Sequence, residues 1–195
     1  MRRFVVIGQR ARASPDFLLA DIPSTSGRLD VLVRCLRAGL LVSHGVRRDT
    51  IVYLCLLGDP ERVRTLRFDG PAAKYMRPDE RSLATVVKKA LATPCGESFA
   101  EVRHGISIAA GGVERVWAEL EGSALYLLEE GSPDLRDEPL AERDCAFVIG
   151  DHLGLPESVR EALGSRGARA TSVGPLSLHA EDVITLVSNE LDRRQ

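Results

Sequence analysis

A mostly parallel α/β sheet flanked by helices is the fold class this sequence predicts. Three observations carry it. β-rich apolar runs alternate with segments of helical period through the C-terminal half. The run Thr50 to Leu57 (TIVYLCLL) is unbroken by charge, as a strand buried on both faces requires. The 195 residues, 44% of them apolar and 28% charged, are enough to bury the core of one domain spanning 1–195.

The elements follow in order. Phe4 to Ile7 is a β-rich first strand, and a loop with Pro15 and Pro23 comes after it. Leu29, Leu32, Val33, Leu36, Leu40 and Leu41 recur at helical spacing, which predicts a helix over about 28–43. The strand from Thr50 ends at a Gly58-Asp59-Pro60 turn, and Val63 to Phe68 alternates as another strand. Asp79 opens a helix through SLATVVKKAL, acidic in its first turn and closed by Lys88 and Lys89. Residues 93–112 are glycine-rich, with Ile106 to Ala109 as a strand, and Val113 to Leu120 reads as a short helix. Regular alternation then sets in. Strands Ala124 to Leu128 and Ala146 to Ile149 precede helix Glu157 to Gly164, strand Ala168 to Ser172 and helix His179 to Asp192.

Several function classes are excluded. The longest apolar stretches fall well short of the ~20 residues a membrane span needs, and the N-terminal apolar run is too short for a signal peptide. Four widely spaced cysteines with no CxxC pair fit reduced thiols, so a cytoplasmic protein with no membrane partner is expected. The dinucleotide GxGxxG, the phosphate-loop GxxxxGK[ST] and the GxSxG elbow are all absent. The histidines and cysteines lack ligand spacing, so no metal site is expected. Asp151-His152 reads either as an acid–base pair or as a local hydrogen-bonding pair ahead of a helix.

Charge is distributed unevenly. Residues 1–91 hold 17 Lys+Arg against 9 Asp+Glu, a balance of +8; residues 92–195 hold 9 against 19, a balance of −10. A basic half on a near-neutral chain suggests a local polyanion-binding face, or a solvated surface with no partner. Only Lys74, Lys88 and Lys89 among the 26 basic residues are lysines, and arginine suits bidentate phosphate contacts.

Two C-terminal loops carry most of the functional signal. FVIGDHLGLP (147–156) and SVGPLSLHAEDVI (172–184) each follow an apolar run and mix glycine, proline and leucine with little charge at the turn. Such loops expose backbone donors and acceptors at strand ends, where open α/β sheets bind ligands; the same residues also suit plain capped turns. With IPSTSGRLDVLVRCL (22–36), LVSHGVRRDTIVYL (41–54), RFDG (67–70) and RPDERS (77–82), they make the chain resemble the archaeal-type tRNA (pseudouridine-54-N1)-methyltransferases of the SPOUT methyltransferases.

The resemblance implies a SPOUT-type fold whose C-terminal part, approximately 124–195, threads a loop as a trefoil knot and binds S-adenosylmethionine. It implies a homodimer acting on tRNA. Carried over by position, the cofactor contacts fall on Leu128, Gly150, Val173, Gly174, Pro175, Leu176, Ser177 and Leu178. Val183 stands where relatives commonly carry cysteine; it cannot supply a thiol but can pack beside the cofactor. Within the other motifs Arg28, Arg47 and Arg48 become RNA anchors, and Asp30, Asp79 and Arg81 are candidates for catalysis. The same residues also suit a structural network, with Pro78-Asp79 as a helix cap. Two further functions fit the motifs less closely: methylation of a ribosomal-RNA pseudouridine, as in the neighbouring Nep1-like family, and RNA binding without turnover.

Overall fold

A computed structural model of the protein describes residues 1–140 and 144–194. Strand β1 (Arg2–Gly8) lies at the middle of an eight-stranded sheet. The short helix α1 (Ile22–Thr25) leads into α2 (Leu29–Leu40), which ends in a small hairpin of β2 (Leu41–Val42) and β3 (Gly45–Val46). Then come β4 (Thr50–Leu56), β5 (Arg64–Asp69), α3 (Glu80–Leu91), β6 (Ala100–Arg103) and β7 (Ile106–Ala110). The C-terminal part adds β8 (Ala124–Leu128), β9 (Cys145–Gly150), α4 (Glu157–Gly164), β10 (Arg169–Thr171) and α5 (Ala180–Arg193).

The sheet order is β10-β8-β9-β1-β4-β5-β7-β6. The five strands from β10 to β4 pair in parallel, and β5, β7 and β6 continue the sheet antiparallel. Connection length explains the change of direction. A parallel return needs a crossover of about a dozen residues or more, and only seven (57–63) separate β4 from β5. The two residues His104 and Gly105 likewise force β6 and β7 into a hairpin.

Alternating side chains of β1 serve both layers. Phe4 and Val6 join the core under α2, α3 and α5, and Val5 and Ile7 join the core that includes Val159 and Leu163 of α4. Phe147 stacks on both Phe4 and Tyr126, at 5.7 and 5.1 Å between ring centres. Residues 113–120 form two short 3₁₀ turns, Val113–Arg115 and Trp117–Leu120, in place of the α-helix that was expected. Bounded by Gly111-Gly112 and Gly122, the segment is too short to offset the cost of α-helix nucleation. The first long helix stops at Leu40, short of 43, because the chain there turns into β2.

Among the described residues, no helix is long and apolar enough to cross a membrane. Cys35 and Cys55 are fully buried, and burial pushes the Cys55 thiol up to about 12 and that of Cys35 higher, so both are inert.

The loop between β8 and β9 holds the chain that leads into α5. Ser172 donates its N–H to the Pro133 carbonyl at 2.8 Å and accepts from the Leu135 N–H at 2.7 Å. At the far end of α5, the Arg194 guanidinium donates to the carbonyls of Glu138 (3.0 Å) and Arg136 (2.8 Å) of the same loop. Between those two ties, Ile184 and Val187 of α5 enter the core beside α2.

Candidate active site

A cleft of about 700 Å³ opens where β8, β9 and β10 end, which is where ligands of parallel sheets bind. Its walls include Leu128, Gly150, Val173, Gly174, Leu176, Ser177, Leu178 and Val183, eight of the nine positions expected to hold a cofactor; Pro175 lies within the same loop. Leu176 and Leu178 leave 73% and 43% of their surface exposed, an unusual cost for apolar side chains on a loop. Two exposed leucines beside free backbone groups suit a flat heteroaromatic ring with polar edges. The donor set therefore fits an adenosyl cofactor. No cysteine lines the cleft.

Asp151 turns out to shape the loop after β9. Its carboxylate accepts the Gln9 N–H at 2.8 Å and the Leu153 N–H at 2.9 Å, tying that loop to the end of β1. His152 Nδ1 lies 3.9 Å from the same carboxylate, beyond hydrogen-bond distance.

On the opposite wall stands a network that joins three helices. Asp30, in the first turn of α2 and 3% exposed at its side chain, accepts from Arg28 at 3.0 and 3.1 Å and from Arg34 at 2.9 Å. Arg34 also reaches Glu181 in the first turn of α5 (2.7 Å) and Glu80 of α3 (3.6 Å). Burial alone would raise the Asp30 pKa, but hydrogen bonds from Arg28 and Arg34 hold it below the ordinary carboxylate range. Arg28 adopts left-handed backbone (φ 69°), rare for a residue with a side chain. Ser26, fully buried, holds the turn by accepting the Leu29 N–H at 3.1 Å and donating to the Ile22 carbonyl at 2.6 Å.

The remaining motif residues lie elsewhere. Arg47 forms a paired contact with Asp192 (2.9 and 2.8 Å), near the sheet end where β1 and β4 begin and where Arg2 bridges Asp49 and Asp192. Arg48 donates to the backbone carbonyls of Gly70, Pro71 and Ala73. Asp79 caps α3 through the Ser82 N–H at 2.8 Å, and hydrogen bonding by Ser82 holds its carboxyl below the usual range; Arg81 is exposed on α3. The cleft thus gathers Arg28, with Asp30 behind it, and not Arg47, Arg48, Asp79 or Arg81.

It also gathers residues that were not singled out: Arg34, Glu129, Glu130, Arg160, Thr171 and Glu181. Arg160 of α4 is ion-paired with Glu129, which follows β8 directly. The Leu128-Glu129 step at a strand end was the one local signal for this pair.

A family model described as "Putative SAM-dependent RNA methyltransferase" matches residues 1–195. A tRNA (pseudouridine(54)-N(1))-methyltransferase of Methanosarcina acetivorans is 41% identical over 195 residues, covering 100% of this chain and 92% of the relative. One of the same name from Halobacterium salinarum is 40% identical over 195 residues, covering 98% and 96%. Among solved structures, Archaeoglobus fulgidus Nep1 bound to S-adenosylhomocysteine superposes with a TM-score of 0.71 at 17% identity, over 98% of this chain and 97% of that one, a likeness of fold.

Proposed function

Because this chain belongs to the family of S-adenosylmethionine-dependent RNA methyltransferases, we propose that it methylates N1 of pseudouridine-54 in the T-loop of tRNA. The observation that carries the reading is the coincidence of the cleft with the expected cofactor positions, in a chain 41% and 40% identical to two tRNA methyltransferases over 92% and 96% of their length. Relatives of this name support tRNA as substrate, and the lining of the cleft supports Leu128, Gly150, Val173 to Leu178 and Val183 as the cofactor wall. We read the β8–β9 loop, tied to Ser172 and Arg194 around α5, as the trefoil knot of that family.

When bound, S-adenosylmethionine supplies a methyl group already activated by its sulfonium. The protein's task is then to orient the acceptor nitrogen, a kind of positioning that can supply effective molarities of roughly 10⁵–10⁸ M. Leu176 and Leu178 would flank the adenosyl ring, and backbone groups of the 150–154 and 173–178 loops would read its edges. Arg28 faces the cleft mouth, where a base drawn out of the T-loop would enter. A carboxylate of the cleft or a water held by it would take the N1 proton. Asp30 is poorly suited to that role, since Arg28 and Arg34 engage both its oxygens and hold it ionised as a weak base.

Two measurements bear on this reading. Labelled methyl transfer to total RNA, followed by nuclease mapping, is expected to place the label on nucleotide 54 of tRNA; label confined to ribosomal RNA would contradict it. The active species is a homodimer. In support, α5 leaves Leu186 40% exposed, and a cavity of about 340 Å³ lies between α5 and the 134–136 turn. Light scattering at micromolar concentration is expected to give twice the chain mass, and a monomer there would count against dimeric action.

A further inference from the structure

We infer that the Gln9–Arg12 loop is a rigid phosphate-binding ridge beside the cleft, on which Arg10 and Arg12 dock the tRNA backbone; the choice of tRNA rests on the reading above. The position comes first. Gln9 donates its N–H to Asp151 at 2.8 Å, and its side-chain amide donates to the carbonyls of Leu153 (3.2 Å) and Gly154 (3.1 Å). The loop is thereby joined to the cleft wall formed by residues 151–154.

Its backbone is fixed from the other side as well. The Arg12 N–H donates to the Ser26 carbonyl, and the Gly58 N–H donates to the Ala11 carbonyl, both at 2.9 Å. Ala11 and Ala13 are fully buried. Packing is so close that a Cβ on Gly27 would sit 1.9 Å from the Arg10 carbonyl oxygen, and one on Gly58 2.2 Å from it. The φ of Gly27 is also +68°, in the left-handed region. Two glycines thus allow two chain segments to clamp a loop whose Ala11 is buried and whose Arg10 and Arg12 are exposed.

The chemistry separates these arginines from those that line the cleft. Arg28, Arg34 and Arg160 line the cleft and are each paired with a carboxylate. Arg10 is exposed and makes no side-chain hydrogen bond or ion pair among the described residues. Arg12 is 52% exposed at its side chain, with a single 3.4 Å contact to Asp59. An exposed arginine alone is ordinary. A pair on a clamped backbone beside a cleft, Arg10 without a carboxylate partner among the described residues and Arg12 held only by the 3.4 Å contact to Asp59, is preorganised for an anion with several phosphates. Neither Arg47 nor Arg48 meets these conditions, because both are engaged within the fold.

The test is fluorescence-anisotropy binding of a labelled tRNA transcript across a salt series, with methyl transfer followed in parallel. Loss of two phosphate contacts lowers the slope of log K against log salt by about 1.4–1.8. R10A/R12A is expected to show that loss, a tenfold or greater weakening, and a raised KM for tRNA with kcat within twofold. R10K/R12K restores the slope, and calorimetry gives wild-type S-adenosylmethionine affinity for both variants. A wild-type salt slope in R10A/R12A overturns the ridge, and so does a wild-type protein that does not bind tRNA. If the wild type binds tRNA through these arginines yet transfers no methyl group, the ridge stands and the methyltransferase reading falls.

Discussion

Replacing Gly150 with alanine is expected to weaken S-adenosylmethionine binding by 100-fold or more. Gly150 ends β9 and is buried against the loop that follows it. A Cβ there would lie 2.1 Å from the Gly154 carbonyl oxygen and 2.2 Å from its carbon, both backbone atoms that no side-chain rotation can move. The 151–154 turn must therefore shift as a unit, which strains the Asp151 bonds to Gln9 and Leu153 and reshapes the cleft floor. Overpacking of this kind typically costs about 1–3 kcal/mol in stability. A 100-fold loss of affinity corresponds to about 2.8 kcal/mol. Gly164→Ala in α4 is the control, because a Cβ there meets nothing within 4 Å. Calorimetry on both variants checks the claim, and wild-type affinity in Gly150→Ala would show that residue 150 does not shape the cofactor site.

Removing the Asp30 carboxylate is the change with the next largest expected effect. Asp30→Ala takes the buried anion from between Arg28 and Arg34 and removes one of the carboxylates that hold the Arg34 guanidinium where it meets Glu181 of α5. Breaking a buried pair costs about 3–5 kcal/mol; Arg28 and Arg34 are 42% and 35% exposed and can rehydrate, which places the loss near about 3 kcal/mol. Urea denaturation measures it. The pH dependence has a definite sign. The folded-state pKa of Asp30 lies below its unfolded value, so its contribution is complete above the unfolded pKa, near 4, and is lost as pH falls through the folded pKa. Asp30→Asn, which keeps the volume, is therefore expected to lose stability at pH 7 and to fall less steeply than wild type below pH 4. Its activity should track its stability and cofactor affinity. A variant of wild-type stability and cofactor affinity whose turnover collapses would instead make Asp30 the base.

Much of this molecule is legible in its sequence, for identifiable reasons. The buried strands β1, β4, β8 and β9 and the helices α2 to α5 follow from apolar periodicity, which records burial directly. The two loops that line the cleft, proposed to hold the cofactor, are legible because their glycines and leucines lie in two short continuous segments. Strand β6 is not legible because its four residues, AEVR, are too short a run to stand out and offer a single strong β-former, Val102, at an open edge of the sheet. The antiparallel wing could have been read from the seven-residue connection between β4 and β5. Through-space pairing was beyond reach. Arg47 meets Asp192 across 145 residues and Arg34 meets Glu181 across 147, so the motif arginines give no local sign of which guanidiniums the fold neutralises. The ridge was hidden for the same reason: Arg10 and Arg12 differ from other arginines only in the segments that clamp their backbone.

Val183 sharpens the chemical claim. It lines the cleft and packs against the apolar core, and a valine offers no thiol at a position where the resemblance implies cysteine. Methyl transfer by this chain must then proceed by orientation and proton removal, with no participation of a cysteine at that position. The decisive measurement is transfer of labelled methyl from S-adenosylmethionine to two tRNA preparations that differ only in carrying pseudouridine or uridine at position 54. Methylation of the pseudouridine tRNA alone, with the label on N1 of that nucleotide, is the expected result. Equal labelling of both, or of neither, contradicts the account.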